Sequence, residues 1–383
     1  MGAGRKARPF FFADDAIGMT VDLEAKALAG NARAQVELAQ RLDRQGRHDE
    51  AVDWLARASR ADDVEALTLL GLRLLTGRDA PCLPADGVRL LSDAATRGGA
   101  DAAGHLAVLI GGGIYARQSW PVALDLLQRS AELGSTSART QLAILAGVDE
   151  VGDPERPEVW RELREAVDLA AWTAPVQGVT RSESPLVRSF QGLAPPAACE
   201  WVIQQSRGRL VRAELYDPAT GKPILSEETR LNRIANFGLV DTNLLNILVQ
   251  TRISATLGID FDHFESFAVL NYLAGEEYGE HVDYLDPDIP AYAAEIAQMG
   301  QRVVTCLIYL NADFEGGETE FPSLGLRYRP ELTGDALVFV NAAGERPDRR
   351  TVHAGRPPTS GEKWVLSQFI RQKPVIGARV RAA

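Results

Sequence analysis

The residues best suited to chemistry end the stretch from Phe267 to Tyr284, which reads Phe-Ala-Val-Leu-Asn-Tyr-Leu-Ala-Gly-Glu-Glu-Tyr-Gly-Glu-His-Val-Asp-Tyr. Near its end stand His281 and Asp283. On an extended strand successive side chains alternate faces, so residues two apart project the same way and can reach one ion from one rigid support. Alone, the pair is a weak signal. With five histidines and roughly one acidic residue in seven, a His-x-Asp/Glu triplet is expected about once by chance. Two others occur: His48 precedes Glu50 in a turn between helices, and His263 precedes Glu265 near a strand start. Neither is followed by further parts of a site, and His105 falls inside a helical repeat, so these three histidines read as structural.

The 281 pair is followed by such parts, in order. Residues 300–322 give a β-branched strand, then a Gly316-Gly317 turn into a second strand. Residues 334–340 read as another strand. Residues 351–371 then supply His353 and, ten residues on across a Pro-Pro and Gly turn, Lys363 in an otherwise apolar strand. Two histidines and one carboxylate on one face of an octahedral Fe(II) leave three positions open for a chelating cosubstrate and O2. Two neutral imidazoles and one carboxylate also leave net positive charge on the ion, which keeps its affinity for an anionic 2-oxo acid. A lysine on a neighbouring strand offers a compact charge for a distal carboxylate, and a salt link in a dry pocket gains more than in water.

The segment from about 185 to 373 resembles the catalytic domain of the prolyl 4-hydroxylase-like Fe(II)/2-oxoglutarate dioxygenases. The matching residues are Tyr272, Gly275, Tyr278, His281, Asp283 and Tyr284; Gly300-Gln301-Arg302 with Tyr309-Leu310; Gly316-Gly317-Glu318-Thr319 with Phe321-Pro322; Gly334-Asp335-Ala336; His353-Ala354-Gly355; and Gly361-Glu362-Lys363-Trp364. The resemblance implies a double-stranded β-helix (jelly-roll) with bracing helices. It implies iron on His281, Asp283 and His353, and the far carboxylate of 2-oxoglutarate on Lys363. Tyr272 and Thr305 match positions that commonly add hydrogen bonds to that cosubstrate, and ascorbate joins O2 among the small molecules such an enzyme uses. The implied reaction hydroxylates a peptidyl residue, proline first, in a protein substrate, while 2-oxoglutarate goes to succinate and CO2. Tyr278 and Tyr284 read as core more readily than as pocket walls. Arg302, Trp364 and Cys306 read as structural.

Departures from the family pattern concern the substrate. Where a second tryptophan is common, this chain has Ser367-Gln368-Phe369-Ile370, and no arginine lies between Asp283 and Arg302. That loop carries Asp286, Asp288 and Glu295, which would suit a cationic peptide or amine, and its place near the metal suits a lid. Two other readings stay open: a hydroxylase of a free amino acid or small metabolite, and an adaptor whose oxygenase module senses iron or 2-oxoglutarate.

The rest of the chain must position these residues. At 383 residues and 45% apolar, it is long enough for two well-packed domains. A net charge of -11 argues against a nucleic-acid partner. Cys82, Cys199 and Cys306 are too scattered for a disulfide framework or a zinc site. The basic start lacks an apolar core of signal-peptide length and no membrane-spanning apolar run occurs, so no membrane association and a cytoplasmic location are expected.

Residues 22–148 are helical and repetitive. Ala34, Ala66, Ala102 and Ala138 each stand four before Leu38, Leu70, Leu106 and Leu142, and Trp54-Leu55, Leu90-Leu91 and Leu126-Leu127 recur every 36 residues, each pair followed by Ala58, Ala94 or Ser130. Two-helix units of this period bury their apolar faces only by stacking, so an N-terminal α-solenoid is expected over 22–148. The pattern resembles Sel1-like repeats, relatives of the tetratricopeptide class, which could recruit a protein substrate. Turn formers at 147–157 mark a boundary. A connector with one amphipathic helix carrying Trp160, Leu163, Val167 and Leu169 spans 149–184, and the oxygenase domain spans 185–376. Within it, Pro185 to Gln191 opens the sheet, and helices at Pro195–Gln205 and Asp241–Leu257 brace it.

Overall fold

The computed structural model describes residues 22–216, 223–224, 229–344 and 346–375; the basic start of the chain lies outside them. Packing divides the chain into two units, Met1–Leu106 and Ala107–Ala383. Among the described residues, no helix is long and apolar enough to cross a membrane.

In the first unit a helix at 22–28 precedes Ala32–Arg44, His48–Ser59, Val64–Thr76 and Pro84–Thr96, and a further helix, Ala100–Gly112, crosses into the second unit. The repeat register has a physical reading. Asn31, Asp63 and Ser135 stand three residues before Ala34, Ala66 and Ala138, and each side chain accepts that alanine's backbone N–H, capping the first helix of its unit. The alanines and the leucines four residues later are buried, as are Leu55 and Leu91 on the second helices. Small residues set the helix spacing: a Cβ at Gly87 would sit 2.7 Å from the carbonyl oxygen of Gly71.

The second unit holds two antiparallel sheets. The larger has eight strands, in the order Gly178–Glu183, Leu186–Phe190, Ala336–Val340, Arg302–Tyr309, Lys363–Arg371, Ala268–Tyr272, Arg233–Asn236 and Val211–Arg212. The smaller runs Leu326–Tyr328, Thr319–Phe321, His353–Gly355 and Tyr278–His281. One core joins them, with Phe321 and Tyr328 of the small sheet packed among Leu307, Tyr309, Leu337, Phe339 and Val365 of the large one. This is the expected double-stranded β-helix. Outside it, Leu244–Leu257 and Pro196–Arg207 brace the large sheet in a second core shared with Leu124, Leu127, Leu142 and Trp160 from the helices Trp120–Glu132, Thr136–Ala146 and Pro157–Ala166.

Three elements differ from the sequence expectation. The connector helix ends at Ala166, because Val167 is extended and Asp168 caps a separate short helix, Leu169–Thr173, by accepting from Ala171 N. Val167 and Leu169 therefore do not continue the Trp160 face. An extra edge strand, Gly178–Glu183, precedes the one expected from Pro185. The segment after Asp283 is not simply a loop: Pro290–Met299 is a helix with proline in its first turn and Gly300 beyond its end.

The Gly334-Asp335-Ala336 motif is a corner clamp. Asp335 is buried and accepts three backbone N–H groups, from Gly192, Glu331 and Leu332, at 2.9–3.0 Å. Gly334 lies at φ +86°, and a Cβ there would sit 1.8 Å from the carbonyl oxygen of Ala194. Gly334→Ala should therefore cost at least about 3 kcal/mol in denaturant unfolding or prevent folding. Gly192→Ala is the control: it has positive φ with nothing within 4 Å, and should cost only about 1–2 kcal/mol. Equal losses would contradict the close approach.

Candidate active site

The small sheet brings the histidines together by register. His353 is paired directly with His281 across adjacent antiparallel strands, which puts both side chains on one face. Their rings lie 4.3 Å apart between centroids. Asp283, just past the end of its strand, completes the group: its Oδ1 is 3.6 Å from His281 Nε2 and its Oδ2 is 3.6 Å from His353 Nε2. Among the described residues these three form the one histidine, cysteine and acid cluster compact enough for a metal, with ligand atoms all within 4.8 Å of one another. Such separations suit neighbours around an ion with bonds of about 2.1 Å.

The tautomers fit as well. His281 Nδ1 donates to Gly279 O at 2.8 Å, and His353 Nδ1 donates to Thr351 O at 3.0 Å. A carbonyl only accepts, so each Nδ1 carries the proton and each Nε2 presents a lone pair. Burial, with His353 alongside, pushes the His281 imidazole down to about 3, so the ring is neutral at physiological pH. Asp283 is oriented from the large sheet: Asn341 Nδ2 donates to Thr305 Oγ1 at 2.8 Å, and Thr305 Oγ1 donates to Asp283 Oδ2 at 2.8 Å. Apolar walls surround His353, with Phe321 stacked on it and Phe339 edge-on.

A cavity of about 680 Å³ runs past the cluster, lined at one end by Lys363, Tyr272, Thr319, Leu307 and Val365. Lys363 is opposite Tyr272 in register, almost wholly buried, and has its Nζ 4.8 Å from that ring's centroid. No carboxylate among the described residues is within ion-pair reach of it. Burial pushes this ammonium down to about 7, against a small opposing pull from Glu318. Beside it, Thr319 Oγ1 accepts from Tyr309 OH at 2.7 Å. Gly355 leaves room for Tyr272, whose hydroxyl would be 3.2 Å from a Cβ there.

Of the expected residues, His281, Asp283, His353, Lys363 and Tyr272 thus share one cavity. Thr305 sits behind Asp283 and bonds to it. Tyr278 and Tyr284 do line the cavity, and Tyr278 stacks on His281 at 3.5 Å between centroids. Arg302 pairs with Glu265, as a structural reading expects. The other histidines are occupied: His48 bonds Asp43 and His263 Nδ1 donates to Arg371 O. Sequence reasoning gave no role to Thr319, Asn341 or Arg230. Thr319 lay in a quoted motif, but Asn341 and Arg230 reach the site only through strand pairing.

The 2OG-Fe(II) oxygenase superfamily is matched over residues 267–371. A putative prolyl 4-hydroxylase of Acanthamoeba polyphaga mimivirus is 32% identical over 186 residues, 48% of this chain and 73% of that protein. The chain belongs to the prolyl 4-hydroxylase-like 2-oxoglutarate/Fe(II) oxygenases. Prolyl 4-hydroxylase subunit alpha-1 of Rattus norvegicus is 30% identical over 202 residues, a match covering 52% of this chain and only 37% of the rat protein. A Sel1 repeat protein of Oxalobacter formigenes aligns to 38% of this chain and 62% of its own, at 21% identity and a TM-score of 0.30. Membership makes the protein a 2-oxoglutarate-dependent dioxygenase with Fe(II) and 2-oxoglutarate as its cofactor and cosubstrate, and the donor set described above fits them.

The oxygenase's buried Asn341–Thr305–Asp283 relay yields a test. Thr305→Val keeps the shape and removes a hydrogen bond to a carboxylate, so affinity for a divalent ion, read by anaerobic Fe(II) or Mn(II) titration, should fall about 10–100-fold. Unchanged affinity would mean the relay does not orient Asp283.

Proposed function

We propose that this dioxygenase hydroxylates a peptidyl residue, proline foremost, in a protein substrate. Iron would be held by His281 Nε2, Asp283 and His353 Nε2, and the distal carboxylate of 2-oxoglutarate by Lys363. The observation that carries the reading is the union, in one cavity, of two tautomer-fixed histidines paired in register, an oriented aspartate and a buried lysine without a carboxylate partner. A buried ammonium with no counter-charge is costly, and a dicarboxylate is a fitting ligand for it.

When bound, iron and 2-oxoglutarate supply the oxidising chemistry, in which O2 is consumed as 2-oxoglutarate becomes succinate and CO2 and a C–H bond becomes C–OH. The chain's own groups bind, orient and exclude water. Neutral imidazoles hold an ion without cancelling its charge. Asp283 stays aimed because Thr305's single proton is committed to it. Tyr309 donates to Thr319, which leaves the Thr319 proton free to join Lys363 in binding a carboxylate. Leu270, Leu307 and Val365 keep that end of the cavity apolar, so the Lys363 charge acts through a low dielectric. The helical repeats are proposed to recruit or position the protein that carries the target residue.

The test is succinate formation by the iron-loaded full chain. Proline-containing peptides should raise the rate well above the peptide-free rate, and His281→Ala should remove the stimulation by at least about 100-fold. Stimulation by free L-proline but by no peptide would overturn the protein-substrate assignment in favour of a small-metabolite enzyme.

A further inference from the structure

The charge lining the cavity is not what the acidity of the 284–301 segment suggests. Glu295 pairs with Arg371, and Arg371 also pairs with Glu265. The Asp286 side chain accepts from Asp288 N at 3.0 Å, and the Asp288 carboxylate lies 3.8 Å from Arg349. None of the three acids lines the cavity. Arginines do, among them Arg230 and Arg302. Arg302 is satisfied by both oxygens of Glu265, at 2.8 and 3.0 Å. Burial pushes the Glu265 carboxyl up, but Arg302 and Arg371 hold it below the usual carboxylate range, so this group is closed on itself.

Arg230 is different. Its backbone is fixed against the strand that carries His281: it forms a bridge with Tyr278, Gly279 N donates to Thr229 O at 2.7 Å, and Leu231 N donates to Glu277 O at 2.9 Å. Its guanidinium lies 4.4 Å from the centroid of the Tyr278 ring, and that ring is stacked on His281. One hydrogen bond holds it, from Nη1 to the backbone oxygen of Glu214 at 2.7 Å. Its Nε is buried without an acceptor, and no carboxylate among the described residues is within ion-pair reach. A rigidly mounted cation with an unused donor therefore stands one stacked ring away from a proposed iron ligand.

We propose that Arg230 anchors a carboxylate of the substrate next to the carbon that is hydroxylated. The substrate class is then a peptide with an acidic residue beside the target, or a small carboxylic acid. The inference rests on the proposed iron site for what happens at the other end of the substrate. Stacking on Tyr278 covers one face of the guanidinium, and the planar fork still offers an edge to a carboxylate. Because the ring and the Glu214 carbonyl already order the side chain, little rotamer freedom remains to be lost on binding. A backbone carbonyl could also accept from Nε, but it would leave the charge uncompensated and would not discriminate between sequences.

The experiment is equilibrium binding to the full chain loaded with 2-oxoglutarate and redox-inert Zn(II), which permits no turnover. The probes are three peptides of one length in which proline is flanked by Glu, Gln or Lys, and N-acetyl-L-proline as a small acid. The Glu peptide should bind about tenfold more tightly than the Gln peptide, and the Lys peptide should be weaker still. In Arg230→Gln the preference should vanish while Gln-peptide affinity stays within about twofold, which also shows the variant is folded; Arg230→Lys should restore only part of it. Equal affinity for Glu and Gln peptides, a preference that survives Arg230→Gln, or no binding by any probe would overturn the proposal. Arg230-dependent binding of N-acetyl-L-proline alone would place the carboxylate on a small acid. With iron in place of zinc, Arg230-dependent binding of the Glu peptide without stimulated succinate formation would leave the anchor standing and sink the peptide-hydroxylase reading.

Discussion

The active site depends on one strand pairing, Tyr278–His281 against His353–Gly355, with His353 opposite His281. Side chains directly opposite in an antiparallel pair share a face, and a slip by one residue would turn one histidine to the other side. Local features hold the register. Each imidazole is tied back to the carbonyl two residues before it. Gly355, lacking a Cβ, lets the Tyr272 side chain pass close to the strand. Thr319 and Glu320 pair on the far side with Gly355 and Ala354, so the His353 strand is held on both edges.

The two sheets divide the labour. The small sheet carries the histidines, and Asp283 follows directly from its edge strand. The large sheet carries Thr305, which orients Asp283, and Lys363 with Tyr272 and Tyr309, which form the closed end of the cavity. Neither sheet alone makes a site. That dependence ties function to the packing of Phe321 and Tyr328 against Leu307, Phe339 and Val365, because a shift between the sheets would move the ligands relative to the groups that aim them.

Much of this was legible in the sequence, for reasons that also mark where legibility stops. His281 and Asp283 were recognisable from a two-residue spacing, and His353 and Lys363 from their order after successive strands. The repeats showed in the regular return of Ala and Leu, which the structure explains by capping and close helix contact. Spacing does not say which face a strand residue takes once neighbours pair, so Thr305 read as a cosubstrate contact although its hydroxyl bonds Asp283. Nor does it reveal partners set by distant pairing: Arg230 is 48 positions before Tyr278 and beside it in space. The acidity of residues 284–301 was real, but the local sequence gave no direction for Glu295, which turns to Arg371. The helix within that segment was signalled by Pro290 and Gly300 at its ends rather than by any apolar periodicity.

The account's central claim is that His281, Asp283 and His353 hold Fe(II) while Lys363 holds the far end of 2-oxoglutarate. The most direct measurement is an anaerobic titration of 2-oxoglutarate into the Fe(II)-loaded chain, following the weak visible charge-transfer band of the chelate, for wild type, Asp283→Ala and Lys363→Ala. Wild type should show the band and Asp283→Ala should not, whereas Lys363→Ala should show it only at much higher 2-oxoglutarate. Because burial holds the free Lys363 ammonium down to about 7 and a bound carboxylate would raise it, wild-type affinity should be full below that pH and weaken above it by up to about tenfold per unit. A wild-type protein with bound iron but no band would contradict the cosubstrate assignment, and a pH-independent affinity matched by Lys363→Ala would remove the lysine from it.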